Sequence, residues 1–154
     1  MRTAISFLLL IALASAWPVA GAPAKLIPGP KAMDAAIAKA RASIDDFWRQ
    51  HTKADAGVVN LALKVRVVSG KAKEALWLIE IELKGAAMSG VINTDPVTVK
   101  SVKFGQRYAF KDADIVDWTY MRNGKIVGNE TLRALLDMMP PEDAAKYRKM
   151  FEKP

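Results

Sequence analysis

The sequence contains no cysteine and a single histidine, and these two shortages exclude several kinds of chemistry. Without cysteine, the chain cannot form disulfides, a thiol nucleophile, a cysteine zinc site or an iron–sulfur site. With His51 alone, a two-histidine metal motif is excluded, and a serine nucleophile would depend on this one imidazole. Phosphate loops, dinucleotide fingerprints and nucleophile elbows are missing as well. We therefore expect no metal and no cofactor.

The composition is that of a folded protein with an excess of positive charge. The 154 residues are 51% hydrophobic and 25% charged, with a formal net charge of +7. This mixture predicts one compact domain and not a disordered chain. The basic residues do not form a stripe interleaved with exposed aromatics, so nucleic-acid binding is not expected. Weak attraction to an anionic polymer of the cell envelope fits the charge better.

The N-terminal 24 residues have the pattern of a signal peptide. Arg2 is followed by an apolar run from Ala4 to Trp17, which is shorter than the roughly 20 residues that a membrane-spanning helix needs. Small residues then offer cleavage sites, and we predict cleavage after Ala24, with Ala16 or Ala22 as alternatives. The sequence thus predicts a periplasmic or secreted protein with no permanent membrane anchor after cleavage.

Residues 25–31 contain two prolines and a glycine, which predicts an irregular lead-in before a single domain of residues 32–154. From Met33 onward, apolar side chains recur at steps of three and four, as in an amphipathic helix. The stripe consists of Met33, Ile37, Ala40, Ile44, Phe47 and Trp48.

After Gly57 the apolar period changes to two, as in a β-strand with one buried face. The alternation covers Leu61 to Val67 and recurs from Trp77 to Leu83, and a short loop with Gly70 separates the two runs. The pattern predicts an antiparallel hairpin. Its polar faces would then place Lys64 and Arg66 opposite Glu80 and Glu82.

Further strands and a second hairpin follow. Asn123-Gly124 lies between two apolar runs and is typical of a two-residue type I′ turn, which would place Tyr120 opposite Val127. Thr94-Asp95-Pro96 should end the strand before it, because proline cannot donate to a ladder. The predicted strands are residues 89–93, 107–110, 115–122 and 125–127.

Two helices are predicted at the C-terminal end. Asn129 can cap the first, which would extend to Met139, and Pro140-Pro141 would end it. The second would extend from Pro141 to Met150. This order of elements predicts an α+β fold: an N-terminal amphipathic helix, a curved antiparallel sheet of about five or six strands, and two C-terminal helices.

A set of residues spread over the predicted strands and the helix after them gives the chain a resemblance to a known family. These residues are Glu74, Trp77, Gly90 to Asn93, Pro96, Val99, Lys100, Phe104, Gly105, Ile115, Asp117, Trp118, Tyr120, Gly124, Gly128, Thr131 and Arg133. Through them the chain resembles, over most of residues 33–150, the YegJ-like family, a bacterial domain of unknown function. In this family a histidine often follows the glutamate matched by Glu74, whereas this chain has Ala75 there. The resemblance implies a domain boundary and no transferable catalytic activity.

Three carboxylates and one imidazole are the candidates for chemistry. Asp112, Asp114 and Asp117 lie within six residues, a spacing that could serve acid–base hydrolysis or an oxygen-ligated cation. Loop aspartates more often form turns and caps, and an ion pair between Asp117 and Arg133 is a reasonable structural role. His51 lies at a predicted helix end, where a structural histidine is the ordinary interpretation.

A polar and aromatic set could converge if the second hairpin packs beside the strand that ends at Asn93. Such a patch could bind a peptide, a glycan or a protein loop. The alternative, which we favour, is a buried network that fixes the hairpin against the helix. The set consists of Asn93, Asp95, Asp117, Trp118, Tyr120, Thr131 and Arg133.

The sequence favours an exported, non-enzymatic binding or interaction module of the cell envelope. Its partner would be an unknown protein or an anionic envelope polymer. The alternative is a small envelope hydrolase that uses carboxylates of the segment from Asp112 to Asp117.

Overall fold

The computed structural model describes residues 29–153, so the predicted signal peptide and most of the lead-in lie outside the described residues. The fold is α+β, as predicted: within the described chain there are four α-helices and a six-stranded antiparallel sheet. No helix of residues 29–153 combines the length and apolarity needed to cross a membrane. The helices are α1 Pro30–Ala42, α2 Ile44–Thr52, α3 Glu130–Leu136 and α4 Pro141–Arg148. The strands are β1 Val58–Ser69, β2 Ala72–Lys84, β3 Ala87–Ile92, β4 Arg107–Phe110, β5 Ile115–Arg122 and β6 Lys125–Gly128.

The lead-in prediction for residues 25–31 is wrong at its end, because Pro30 and Lys31 are already helical. Proline suits the first helical turn: its backbone angle is preset and its missing N–H has no partner to lose there. The predicted N-terminal amphipathic helix is present, but it is divided into α1 and α2. It is interrupted at Ser43, whose Oγ donates to the carbonyl oxygens of Lys39 and Ala40 at 3.1 and 3.2 Å. A serine hydroxyl that competes for helix carbonyls favours such an interruption.

The chain divides into two compact units. The first, Ala62–Val116, contains most of β1 together with β2, β3 and β4, which pair in that order as antiparallel neighbours. Its buried core is aliphatic and aromatic, and a helical turn at Asp112–Asp114 precedes β5. The core side chains include Leu63, Val65, Val67, Leu76, Trp77, Leu78, Ile92, Val99 and Phe110.

The predicted charge pairing of the first hairpin is wrong. A two-residue turn places Ser69 opposite Ala72, and this register sets Lys64 opposite Trp77. The lysine Nζ lies 5.4 Å from the centroid of the indole ring, a cation–π contact. At Glu80 the strand has a positive φ of 50° and the pairing with β3 shifts, so the simple alternation ends there.

Glu80 and Glu82 of β2 both contact Arg107 of β4. Its Nη2 atom lies 3.6 Å from the Glu80 carboxylate and 3.3 Å from that of Glu82. The charges of β2 thus match a strand that is distant in sequence, and not the neighbouring strand of the hairpin.

The second unit consists, within the described chain, of residues 29–61 and 117–153. The predicted hairpin is confirmed: Asn123 and Gly124 have φ values of 50° and 77°, and Tyr120 lies opposite Val127. Helix α1 packs on α3. The last two helices are shorter than predicted and end at Leu136 and Arg148.

The chain end after α4 pairs with β6, which the sequence did not indicate. The N–H of Ile126 donates to Met150 at 2.8 Å, and the N–H of Glu152 donates back to Ile126 at 2.9 Å. Phe151 is buried beside this bridge, under the guanidinium of Arg133 at 4.0 Å. The tail therefore covers part of the outer edge of β6.

Candidate functional site

The second unit contains a buried carboxylate whose oxygens accept several hydrogen bonds. Asp117 is fully buried in β5, and its Oδ1 accepts from the backbone N–H groups of Trp118 and Glu130 at 2.8 and 3.2 Å. Its Oδ2 accepts from the N–H and the hydroxyl of Thr131 at 2.8 and 2.6 Å. Because two of these donors are the first N–H groups of α3, the carboxylate acts as a helix cap from a remote strand.

The predicted capping residue Asn129 does not perform this role. It occupies the N-cap position, but with left-handed angles of φ 57° and ψ 50° and without a side-chain cap bond. Capping side chains act from the extended region of the backbone, so this conformation turns the amide away from the helix N–H groups. Among the described residues, its Oδ1 is buried without a hydrogen-bond partner.

The Trp118 side chain is buried and is not exposed at the protein surface. Its ring is 3% exposed and stacks on Tyr120 with a centroid separation of 5.7 Å. The indole Nε1 donates to the carbonyl of Ala40 in α1 at 2.9 Å. Gly128 lies against the ring with a φ of +74°, and a Cβ at that position would approach the ring atoms to 2.7 Å. The absence of a side chain at Gly128 therefore makes room for the indole.

Tyr120 begins a chain of polar contacts that leads to the surface. Its hydroxyl donates to Asp46 at 3.0 Å and accepts from Arg122 at 2.7 Å, and Arg122 in turn contacts Glu152 at 3.2 Å. Burial, together with the hydrogen bond to Asp46, raises the pKa of Tyr120 to about 12. The phenol is thus held in its protonated form at neutral pH.

The remaining predicted residues are divided between the two units. Arg133 forms its ion pair with Glu130 of the same helix at 3.6 Å and donates to the Gly128 carbonyl at 3.2 Å. Asn93 and Asp95 belong to the first unit, in the segment after β3. The structure therefore brings together Asp117, Trp118, Tyr120, Thr131 and Arg133 within one unit.

The other candidate acids and the histidine have structural contacts. Asp114 accepts from the backbone N–H of Lys111 at 3.0 Å, as a turn-forming aspartate does. His51 lies at the end of α2 and packs against Phe47 and Trp48, with ring centroids 6.1 and 5.8 Å away. Within the described part of the chain, no group of three or more His, Asp or Glu side chains could hold a metal ion.

A second feature, in the first unit, is the 93–106 loop, which joins β3 to β4. Glu74 of β2 fixes one part of it: its carboxylate accepts from the backbone N–H groups of Val97, Thr98 and Val99 at 2.9, 2.8 and 3.0 Å. Partial burial on its own would raise the pKa of Glu74, but these three N–H donors and nearby Lys100 outweigh it, so the pKa is lowered.

The loop is fixed at its two ends as well. Near its start, the hydroxyl of Thr94 accepts from the N–H of Trp77 at 3.1 Å. Near its end, the N–H of Gly105 donates to Ile92 at 2.8 Å, and the carbonyl of Gln106 accepts from the N–H of Ile92 at 2.9 Å. Sequence reasoning noted Glu74 as a family residue but did not assign it this role, because the bonded groups are backbone atoms more than twenty residues away.

The anchored loop nevertheless exposes apolar side chains. Val97 is 61% exposed and Phe104 is 48% exposed, while Val99 between them is buried. Lys100 and Lys103 are exposed in the same loop. Long connections without regular secondary structure are uncommon in compact domains, and an ordered one is commonly functional. The 93–106 loop is therefore the best candidate for a contact surface.

Comparison with known proteins gives a family and no activity. Residues 30–152 match the model of a family described as an uncharacterised protein conserved in bacteria, DUF2314. The chain is 36% identical to the uncharacterised protein YegJ of Escherichia coli over 77% of its own length and 76% of that protein. It is 25% identical, over 71% of its length, to a putative ankyrin repeat protein of Neisseria meningitidis, of which it covers 46%. No solved structure matches the chain.

Proposed function

Because the chain belongs to the DUF2314 family of uncharacterised bacterial proteins, we propose its function from its surface: it is an exported, non-enzymatic module of the cell envelope that binds another envelope component through the 93–106 loop. The observation that carries this proposal is the combination of a fixed backbone with exposed apolar side chains. A fixed loop loses little conformational entropy on binding, which favours affinity.

The contacts of the acidic side chains support a non-enzymatic role. Asp117 and Glu74 accept hydrogen bonds from backbone groups that the fold must satisfy, and Asp114 accepts one at a turn. A general acid or base must instead reach a proton of the substrate. The hydrolase alternative would require one of these carboxylates to leave its backbone partners.

Export is supported by the sequence of residues 1–24, where a short apolar run follows Arg2. For this chain, we propose that the partner is an unknown protein or an anionic component of the envelope.

Photo-crosslinking in the native cell tests this function. A photoreactive amino acid replaces Phe104 in the loop or, as a matched control, Val59, which is 51% exposed in the second unit. We expect an adduct with a protein or another envelope component from position 104 and none from position 59. Equal adduct formation at both positions would contradict the proposal.

Two further measurements test the remaining parts. N-terminal sequencing of the exported protein should show a start after Ala24, whereas an intact Met1 would contradict export by signal cleavage. The protein should show no turnover with peptidoglycan, esters, phosphodiesters or peptides. Hydrolysis that survives repurification and is lost in Asp117→Asn with an unchanged melting temperature would establish the hydrolase instead.

A further inference from the structure

The exposed side chains of the 93–106 loop are of two kinds, apolar and cationic. Val97 and Phe104 are large and exposed, and Lys100 and Lys103 are exposed between them. Apolar groups combined with lysines are typical of surfaces that enter the headgroup region of an anionic membrane. Interfaces between proteins have a different composition, because lysine is depleted there.

Every charged residue in the sequence from 97 to 111 is basic. Residues 97–111 contain four basic residues and no acidic residue. Arg107 is engaged with Glu80 and Glu82, and Lys100 lies close enough to Glu74 to lower the pKa of its carboxyl. Asp95 is the one acidic residue of the 93–106 loop itself. The loop therefore has a net positive charge, which complements an anionic surface.

The loop is held at two separate places along β2. Val97 is bonded to Glu74, and Gly105, the neighbour of Phe104, is bonded to Ile92, which pairs with Leu78. Glu74 and Leu78 lie four residues apart in β2, about 13 Å at the usual rise of a strand. A membrane surface is broad enough to contact both anchored parts of the loop.

We propose that the 93–106 loop binds the surface of an anionic phospholipid membrane. Phe104 and Val97 enter the interface, and Lys100 and Lys103 contact the phospholipid phosphates. Glu74 acts as a positioning residue, because it fixes the backbone from which Val97 projects. This inference rests on the proposed function, since it names the partner of the same loop.

Site-specific fluorescence with vesicles tests the inference. Since the chain has no cysteine, Phe104→Cys and Val59→Cys each provide a single labelling position for an environment-sensitive fluorophore. The protein is purified in the form that accumulates in its own cells and is mixed with vesicles of phosphatidylcholine, alone or equimolar with phosphatidylglycerol. We expect a blue shift at position 104 and none at position 59, only with phosphatidylglycerol, and its loss at high salt.

Charge variants complete the test. The double variant Lys100→Glu/Lys103→Glu should bind the anionic vesicles at least about tenfold more weakly, because each lysine near the surface contributes to binding. The matched variant Lys31→Glu/Lys53→Glu has the same net charge but alters exposed lysines of the second unit, and it should bind within about threefold of the wild type. Unchanged melting temperatures show that each variant folds.

Three results would overturn the inference: no association with anionic vesicles, the same shift at positions 104 and 59, or equal weakening in the two double variants. If the protein does not associate with anionic vesicles but photo-crosslinking at position 104 captures a protein, the membrane inference is wrong and the proposed function stands. If the protein neither associates with vesicles nor forms an adduct at position 104, the proposed function is wrong as well.

Discussion

Asp117 and Thr131 are joined by two hydrogen bonds to one carboxylate oxygen, from the backbone N–H at 2.8 Å and from the hydroxyl at 2.6 Å. These bonds connect the middle of β5 to the first turn of α3. A negative charge at that position also interacts favourably with the helix dipole. The pair therefore fixes the second hairpin against the helix that follows it.

Trp118→Ala should lower the free energy of unfolding by about 3–5 kcal/mol, the usual cost of removing a packed aromatic side chain. The variant loses the stacking on Tyr120 and the hydrogen bond to Ala40. Trp118→Phe keeps an aromatic ring and loses that hydrogen bond, so it should cost about 1–3 kcal/mol. Denaturant unfolding measures both values. A midpoint within error of the wild type for Trp118→Ala would show instead that the indole is not part of the core.

Local features of this fold could be predicted from the sequence, because neighbouring residues determine them. The turn at Asn123-Gly124 needs positive φ at both positions, and the residues present adopt it. Strand β4 was predicted at its observed bounds. Asn129 shows the limit of such reasoning. Asparagine is a usual helix-capping residue, yet the Asp117 carboxylate of β5 caps α3 in its place.

The contacts that hold the 93–106 loop could not be predicted, because they join side chains to backbone atoms. Every residue type except proline has the backbone N–H that donates to Glu74, so the residue types give almost no signal for these hydrogen bonds. The pairing of Phe151 with Ile126 is likewise a backbone contact between distant segments. Five members of the predicted set fall in one unit, since they lie close in sequence, whereas Asn93 and Asp95 belong to the other unit.

Glu74→Gln should destabilise the protein by about 1–3 kcal/mol at neutral pH, because a neutral amide replaces a carboxylate that accepts three N–H bonds. The pKa of Glu74 is lowered below its usual value of 4.5 in the folded state. The stabilisation by the ionised Glu74 carboxylate is therefore fully present above pH 4.5. It is lost as the pH falls through the lowered pKa of the folded state.

Urea unfolding as a function of pH measures this dependence. The stability difference between the wild type and Glu74→Gln should shrink as the pH is lowered below 4.5 and through the lowered folded-state pKa. A difference that stays constant over this range would contradict an ionised anchor. The matched control Glu142→Gln changes an exposed acid in α4 and should leave the stability within about 0.5 kcal/mol.

Tyr120 should titrate far above an ordinary tyrosine. Its pKa is raised from 10.0 to about 12 by burial and by the hydrogen bond to Asp46. Because the folded state holds the phenolic proton more tightly than the unfolded state, this stabilisation is present below pH 10 and is lost as the pH rises toward 12. Ultraviolet titration of the wild type minus Tyr120→Phe should give a single phenol with a midpoint of about 12. A midpoint near 10 would contradict the buried position.

Asp117 stabilises the fold through its buried hydrogen bonds, and the unfolding free energy of Asp117→Asn tests this role most directly. The amide cannot accept from all four donors, so we predict a loss of about 3 kcal/mol at neutral pH. Asp95→Asn, at an exposed loop position, should stay within about 0.5 kcal/mol of the wild type. A wild-type midpoint for Asp117→Asn would contradict the account, because it would show a buried carboxylate that the fold does not need.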